Sequence, residues 1–313
     1  MDLAPNEEQQ AILDAVESLL GQRAGAARAI ELDRLGEADA DLQAELDQSG
    51  FLDIALDDEM GFLEAVLVVE AISQAGGLVT AGASALVAPG VAGESLPGPV
   101  ALMQAGDKGP VRYAAQARTL LVDAGDEAFR VEIEPGAFEV VTSNVMFPLG
   151  RAVGELPDGD SLGAGSGALL RNWWRVALAA EMVGAMQAAL DVTVEFVTGR
   201  RQFGRAIGSF QAVQHRLATC AVLVEGSRWL VREAAFRGAP PEAAATAAGH
   251  AAAAAGRLFE ETQQLTGAMG YTREHDLHVW SMRLQALRLE LGGAGEHRRA
   301  AARARWLDGG SGA

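Results

Sequence analysis

The sequence predicts a mainly helical fold with a small β region in the middle, and three observations carry that reading. The 313 residues are 49% hydrophobic but only 5% aromatic, so alanine, leucine and valine supply most of the apolar content, a mixture suited to packed helices. Apolar residues from Leu169 to Val197 recur every three or four positions over about eight turns, with a gap at Gln187. Between about 78 and 167, glycine and proline become frequent and short β-type runs replace the helical period. The chain therefore divides into an N-terminal helical domain (1–90), a reduced middle β domain (91–165) and a C-terminal helical bundle (166–313).

The first helix is predicted over 6–21, with Asn6 as N-cap and Ile12, Leu13, Val16, Leu19 and Leu20 on one face. A second covers 38–48 and ends at Gly50; a third runs from Phe62 to Ala75 and stops at Gly76-Gly77. Val111–Tyr113, Thr119–Val122, Phe129–Ile133 and Phe138–Val141 read as a small antiparallel sheet, and the glycine-rich stretch 158–168 as a linker. In the bundle, Leu169, Trp173, Val176, Ala180, Val183, Leu190, Val194 and Val197 form the core face of the first helix. Val213, Leu217, Cys220 and Val224 begin the next such face. Pro240-Pro241 opens an alanine-rich helix to about 265, since proline is tolerated at a helix start. Further helices follow over about 274–291 and 294–307, with GGSGA as a frayed tail.

The net charge of −17 is unevenly distributed. Residues 1–170 hold 8 Lys+Arg against 29 Asp+Glu, whereas residues 171–313 hold 17 against 13 and all five histidines. The acidic half would repel phosphate, which argues against a nucleic-acid surface. The near-neutral half leaves room for a compact anionic ligand, or is simply a neutral bundle beside a solubilising acidic face. One cysteine, Cys220, excludes an intramolecular disulfide framework and fits a reducing compartment. The acidic start MDLAPNEEQQ is unlike a secretory signal. Charges such as Arg175 and Glu181 interrupt the longest apolar runs, so no membrane span is expected and a cytoplasmic location is the default.

Two glycine-bearing segments concentrate polar side chains. The first, Arg200-Arg201-Gln202-Phe203-Gly204-Arg205-Ala206-Ile207-Gly208-Ser209-Phe210-Gln211, lies between two bundle helices; the second is Gln264-Leu265-Thr266-Gly267-Ala268-Met269-Gly270-Tyr271-Thr272. Arginine offers a planar fork of donors for phosphate, and a helix start would add free N–H groups. The bland alternative is a solvated arginine-rich helix end.

These segments resemble the two signatures of the acyl-CoA dehydrogenase family, an Arg-x-x-Phe-Gly turn leading into a Gln-rich helix and a later Gln-x-x-Gly-Gly-x-Gly turn. Arg200, Gln202, Phe203, Ile207, Phe210 and Gln211 match the first; Gln264, Leu265 and Gly267 match the second, with Ala268 in place of the second glycine. The resemblance covers about 169–300, and NEEQQAILDAVESLL is similar to the family's opening helix. It implies a flavoenzyme fold of N-terminal helices, β-barrel and four-helix bundle. It also implies that these nine residues hold the ADP part of a FAD shared across a subunit interface.

The sequence also departs from the family pattern. The middle region lacks the threonine- and serine-rich loops that hold the flavin ring, and the helices around 85–100 that wall the acyl cavity are expected to be lost. The two usual positions of the glutamate base hold Leu291, with Glu290 beside it, and Trp174, with Glu181 about two turns further along. The resemblance therefore implies a subunit of a FAD-dependent acyl-CoA dehydrogenase working with a homologous partner on an acyl-CoA, in the manner of the steroid-degrading members, with Trp174 plugging the vacated cavity. A self-sufficient dehydrogenase using Glu290, and a non-enzymatic oligomerisation scaffold, are the alternatives. His275 and His278 share a helix face but find no second ligand pair for a metal. Cys220 reads as a buried structural thiol, and Trp173, Trp174, Trp229, Trp280 and Trp306 as core or interface.

Overall fold

Asn6 caps the first helix as expected. Its side-chain oxygen accepts from the Gln9 N–H at 2.8 Å and the Gln9 side chain accepts from the Asn6 N–H at 2.9 Å, a reciprocal capping box. The computed structural model describes residues 3–308, so the expected glycine-rich tail lies outside the described residues. Four helices come first: α1 (Glu7–Arg23), α2 (Ala26–Leu35), α3 (Ala40–Gln48) and α4 (Phe62–Gln74). The sequence reading missed α2 because only Ala29 and Leu32 of its ten residues are buried, too few to show a helical period. Two helical turns, Ala83–Val87 and α5 (Ala88–Ala92), then occupy the first half of the stretch around 85–100 expected to have lost helix, and no helix follows there before residue 100. Asn6→Ala should cost about 1 kcal/mol, measurable by urea unfolding.

Among the described residues, seven strands follow: β1 (Val100–Gln104), β2 (Val111–Arg112), β3 (Thr119–Asp123), β4 (Glu127–Glu132), β5 (Phe138–Val141), β6 (Leu149–Ala152) and β7 (Asp160–Ala164). They form two sheets, ordered β1-β3-β4-β7 and β2-β6-β5, around a small core of their own that includes Met103, Leu120, Val131 and Phe138. Two expectations need correcting. The larger sheet is mixed, since β1 runs parallel to β3. The glycine-rich segment is not a linker: β7 lies within it and pairs with β4, and the following helix starts at Ser166. Pairing across the sheet, rather than side-chain pattern, makes β7 a strand, for four of its five residues are exposed.

The bundle comprises α6 (Ser166–Gly199), a two-residue hairpin β8 (Arg201–Gln202) and β9 (Arg205–Ala206), then α7 (Gln211–Phe236), α8 (Pro241–Thr266), α9 (Leu277–Leu287) and α10 (Gly293–Arg303). Helix α6 packs against α4, α7, α8 and α9. It is long and apolar enough to cross a membrane, contrary to the sequence reading, but 78% of its apolar window is buried inside the protein. Its predicted core face holds except at the two exposed positions Leu169 and Val194, and Val213 and Leu217 of α7 are only half-buried. Trp173, Trp174 and Trp280 are buried, whereas Trp229 is 43% and Trp306 72% exposed.

One side chain ties the three parts of the chain together. Arg283 of α9, fully buried, donates to the carbonyls of Gly76, Gly77 and Met146 at 3.1–3.2 Å. Those carbonyls belong to the loop after α4 and the loop before β6. Burial pulls the guanidinium pKa down, and the three carbonyl acceptors are what make its interior position tolerable.

Candidate functional site

Two regions of the structure gather the residues singled out by the sequence. The first is one end of the bundle. Helices α6 and α8 end there and α7 begins there, an alignment fixed by the ion pair of Arg216, in the second turn of α7, with Glu261, near the end of α8. The arginine segment is a tight hairpin in which Gln202 faces Arg205. Phe203 (φ 53) and Gly204 (φ 81) form its two-residue tip, the both-positive backbone of a turn that matches strand twist. Phe203 is 91% exposed, and Arg205 lies over the Phe210 ring at 3.9 Å. Arg200 therefore caps the C-terminus of α6 instead of opening a helix, and the expected contribution of helix-start N–H groups applies to Gln211 alone.

Arg200, Gln202, Gln211 and Gln264 are exposed, and their side chains make no hydrogen bond or ion pair with any described residue. Ile207 and Phe210 are half-buried and Leu265 is buried, so these three support the backbone instead of presenting donors. Gly267 has φ 61 and open space where a Cβ would stand, a conformation that favours glycine. Ala268 is exposed, so its methyl does not close the turn. One guanidinium and three carboxamides, all uncommitted and at one end of the bundle, are the right donor chemistry for a pyrophosphate.

The second region is a cavity of about 300 Å³ between the β region and the bundle, lined by Met103, Arg112, Tyr113, Trp174, Glu181 and Glu290 among others. At its centre Arg112 of β2 donates to Glu181 at 2.9 Å and forks onto both oxygens of Glu290. The Trp174 indole N–H donates to the same Glu290 at 3.0 Å. The structure thus brings together both residues at the usual base positions, Trp174 and Leu291, and both nearby carboxylates. Trp174 is a wall and a donor instead of a plug. Burial raises the Glu181 pKa, opposed by Arg112. Burial also works to lower the Arg112 pKa, but the two carboxylates outweigh it and the net shift is upward.

Arg112 escaped the sequence reading. A lone arginine between Val111 and Tyr113 in a strand signals only that a charge enters a packed layer; its partners lie 69 and 178 residues away. The histidine pair serves packing, with His278 Nδ1 2.9 Å from the His275 carbonyl and His275 edge-on to Phe196. Cys220 is buried and its thiol is pushed up to about 11.

Residues 6–94 match the family model "Acyl-CoA dehydrogenase, N-terminal domain" and residues 170–306 match "Acyl-CoA dehydrogenase, C-terminal domain". The chain belongs to the acyl-CoA dehydrogenase family. Members of this family are FAD-dependent flavoproteins. Acyl-CoA dehydrogenase IpdE2 of Mycobacterium tuberculosis is 42% identical over 108 residues, 34% of each chain. The short/branched chain specific acyl-CoA dehydrogenase of Bos taurus is 31% identical over 145 residues, 45% of this chain and 33% of that one. The chain thus spans about a third of the length of the curated relatives it matches. Among solved structures, the ChsE4-ChsE5 complex of Mycobacterium tuberculosis superposes with TM-score 0.79 at 23% identity, covering 97% of this chain and 98% of that one. At that identity the likeness establishes the acyl-CoA dehydrogenase fold.

Proposed function

We propose that this chain is one subunit of a FAD-dependent acyl-CoA dehydrogenase that introduces an α,β double bond into an acyl-CoA thioester. In this reading Arg200, Gln202 and Gln264 grip the ADP part of a FAD held mainly by a homologous partner. The observation that carries it is the set of outward-facing, uncommitted donors at the bundle end. Phe203, Gln211 and Gly267 belong to the same surface, with Ile207, Phe210 and Leu265 behind it. A cytoplasmic hetero-oligomer is part of the proposal.

The flavin supplies the hydride acceptor for the β-hydrogen. The protein must supply a carboxylate for the α-proton and donors for the thioester carbonyl. In this chain the two cavity carboxylates are already ion-paired with Arg112, so using either as the base would first require breaking that buried pair. That favours a division of labour in which the partner provides the reacting groups. A bulky acyl-CoA such as a steroid side chain is the proposed substrate, supported by the likeness to the complex above and to the Tcur3481-Tcur3483 steroid ACAD, TM-score 0.79 at 23% identity over 95% of this chain and 97% of that one.

A second reading has one observation in its favour: Glu290 reaches the cavity despite Leu291 at the usual base position, so the chain could remove the α-proton itself. Turnover separates the two. Assayed with an acyl-CoA and an artificial electron acceptor, the purified chain is expected to be inactive alone and active when co-purified with its partner. Turnover by the chain alone, abolished by Glu290→Gln, would replace the first reading with the second.

A further inference from the structure

Residues 289–293, which run from just after α9 to the first residue of α10, stand between the cavity and solvent in a backbone conformation that needs an anchor. Leu289, Glu290, Leu291 and Gly292 all line the cavity, and Leu289 is 63% exposed on its outer side. Leu291 has φ 51 and ψ 31, the left-handed region that a branched residue seldom adopts. Gly292 (φ 84) and Gly293 (φ 67) continue the same hand; a Cβ on Gly292 would lie 2.8 Å from the Glu296 side chain, and one on Gly293 would lie 3.0 Å from the Arg288 carbonyl. The turn closes on itself through a backbone bond from the Gly293 N–H to the Glu290 carbonyl, and among the described residues no strand pairs with it.

Leu291 packs against the main core, and the polar fastening of the turn to the cavity wall is the Glu290 side chain. Its two oxygens take the fork of Arg112 from β2, and one also takes the Trp174 indole N–H from α6. A turn strained at Leu291, hinged at two glycines and fastened by one carboxylate to two other elements has the parts of a catch.

We propose that residues 289–293 form a latch over the cavity, with Glu290 as the bolt, Arg112 and Trp174 as the socket, and Gly292-Gly293 as the pivot. Releasing Glu290 lets Leu291 relax out of the left-handed region and swings the turn outward, opening the route to the cavity. Strain stored in a segment that the surroundings over-determine is the usual signature of such an element. The latch operates whether or not Arg200 grips a partner's cofactor.

The test uses the purified full-length chain carrying Met103→Cys, which puts a thiol in the cavity wall, and follows its labelling by a maleimide. The native Cys220 gives a slow background because it is buried and its thiol is pushed up to about 11. Adding Glu290→Gln should accelerate labelling of position 103 at least about tenfold, the effect of losing a charge-assisted bond. Adding Leu291→Gly instead should slow it several-fold, since glycine adopts the left-handed conformation without strain. Circular dichroism confirms that each variant is folded. An unchanged labelling rate in folded Glu290→Gln overturns the latch. If that variant does not fold, a rate in Leu291→Gly that is unchanged or faster overturns it equally.

Discussion

Substituting Arg200→Ala is expected to weaken flavin binding by the assembled complex about tenfold to a hundredfold while leaving the fold of this chain intact. Arg200 is exposed and has no partner among the described residues, so its removal strands no buried group. Hydrogen bonds to a charged acceptor contribute roughly 1.5–3 kcal/mol each, and one guanidinium fork on a pyrophosphate would be lost. Arg200→Lys should recover only part of the affinity, because an ammonium keeps the charge but not the planar fork. Titrating flavin into the apo-complex and reading flavin fluorescence gives the affinity directly. Unchanged affinity in Arg200→Ala would mean that the hairpin faces something other than the cofactor.

Arg112→Met should destabilise the chain by about 3–5 kcal/mol, the usual cost of removing one partner from a buried ion pair. Here a single guanidinium serves two carboxylates, Glu181 and Glu290, whose side chains are only 14% and 22% exposed. The pH dependence carries a sign. Burial already raises the Glu181 pKa, with Arg112 holding it down. Loss of Arg112 raises it further, so the native state then binds the proton more tightly than the unfolded chain. The resulting penalty is fully present above the raised folded value and fades as pH falls toward the unfolded carboxylate value of about 4.3. The loss in Arg112→Met should therefore be larger at pH 8 than at pH 5.5, and combining it with Glu181→Gln and Glu290→Gln should recover much of the stability. Urea unfolding at the two pH values checks both statements; a loss below about 1 kcal/mol at both would mean that water reaches the carboxylates.

Much of this architecture was legible in the sequence for identifiable reasons. The helices of the bundle are long and repeat their apolar positions, so α6 and α8 fall within a few residues of expectation and α7 begins close to its first expected apolar residue, Val213. The polar segments around Arg200 and Gln264 stand out because glycines and uncommitted donors interrupt that repetition. What stayed hidden depends on distant pairing. Strand β7 is mostly exposed and glycine-rich, and only its ladder with β4 makes it a strand. The arginine segment looked like a helix start because α7 follows it, whereas Phe203 and Gly204 turn it back as a hairpin. The centre of the cavity was hidden most completely. Glu290 and Trp174 were identified separately by position, but the residue that joins Glu290 to Glu181 is Arg112, in a strand of two residues remote in sequence from both.

The division of labour between this chain and a partner is tested most directly by flavin content. The chain would be purified alone and after co-expression with its homologous partner, and flavin absorbance would be read per chain in each preparation. No flavin is expected in the chain alone, and flavin in the complex is expected at less than one per chain. One flavin per chain in the protein purified alone would contradict that division.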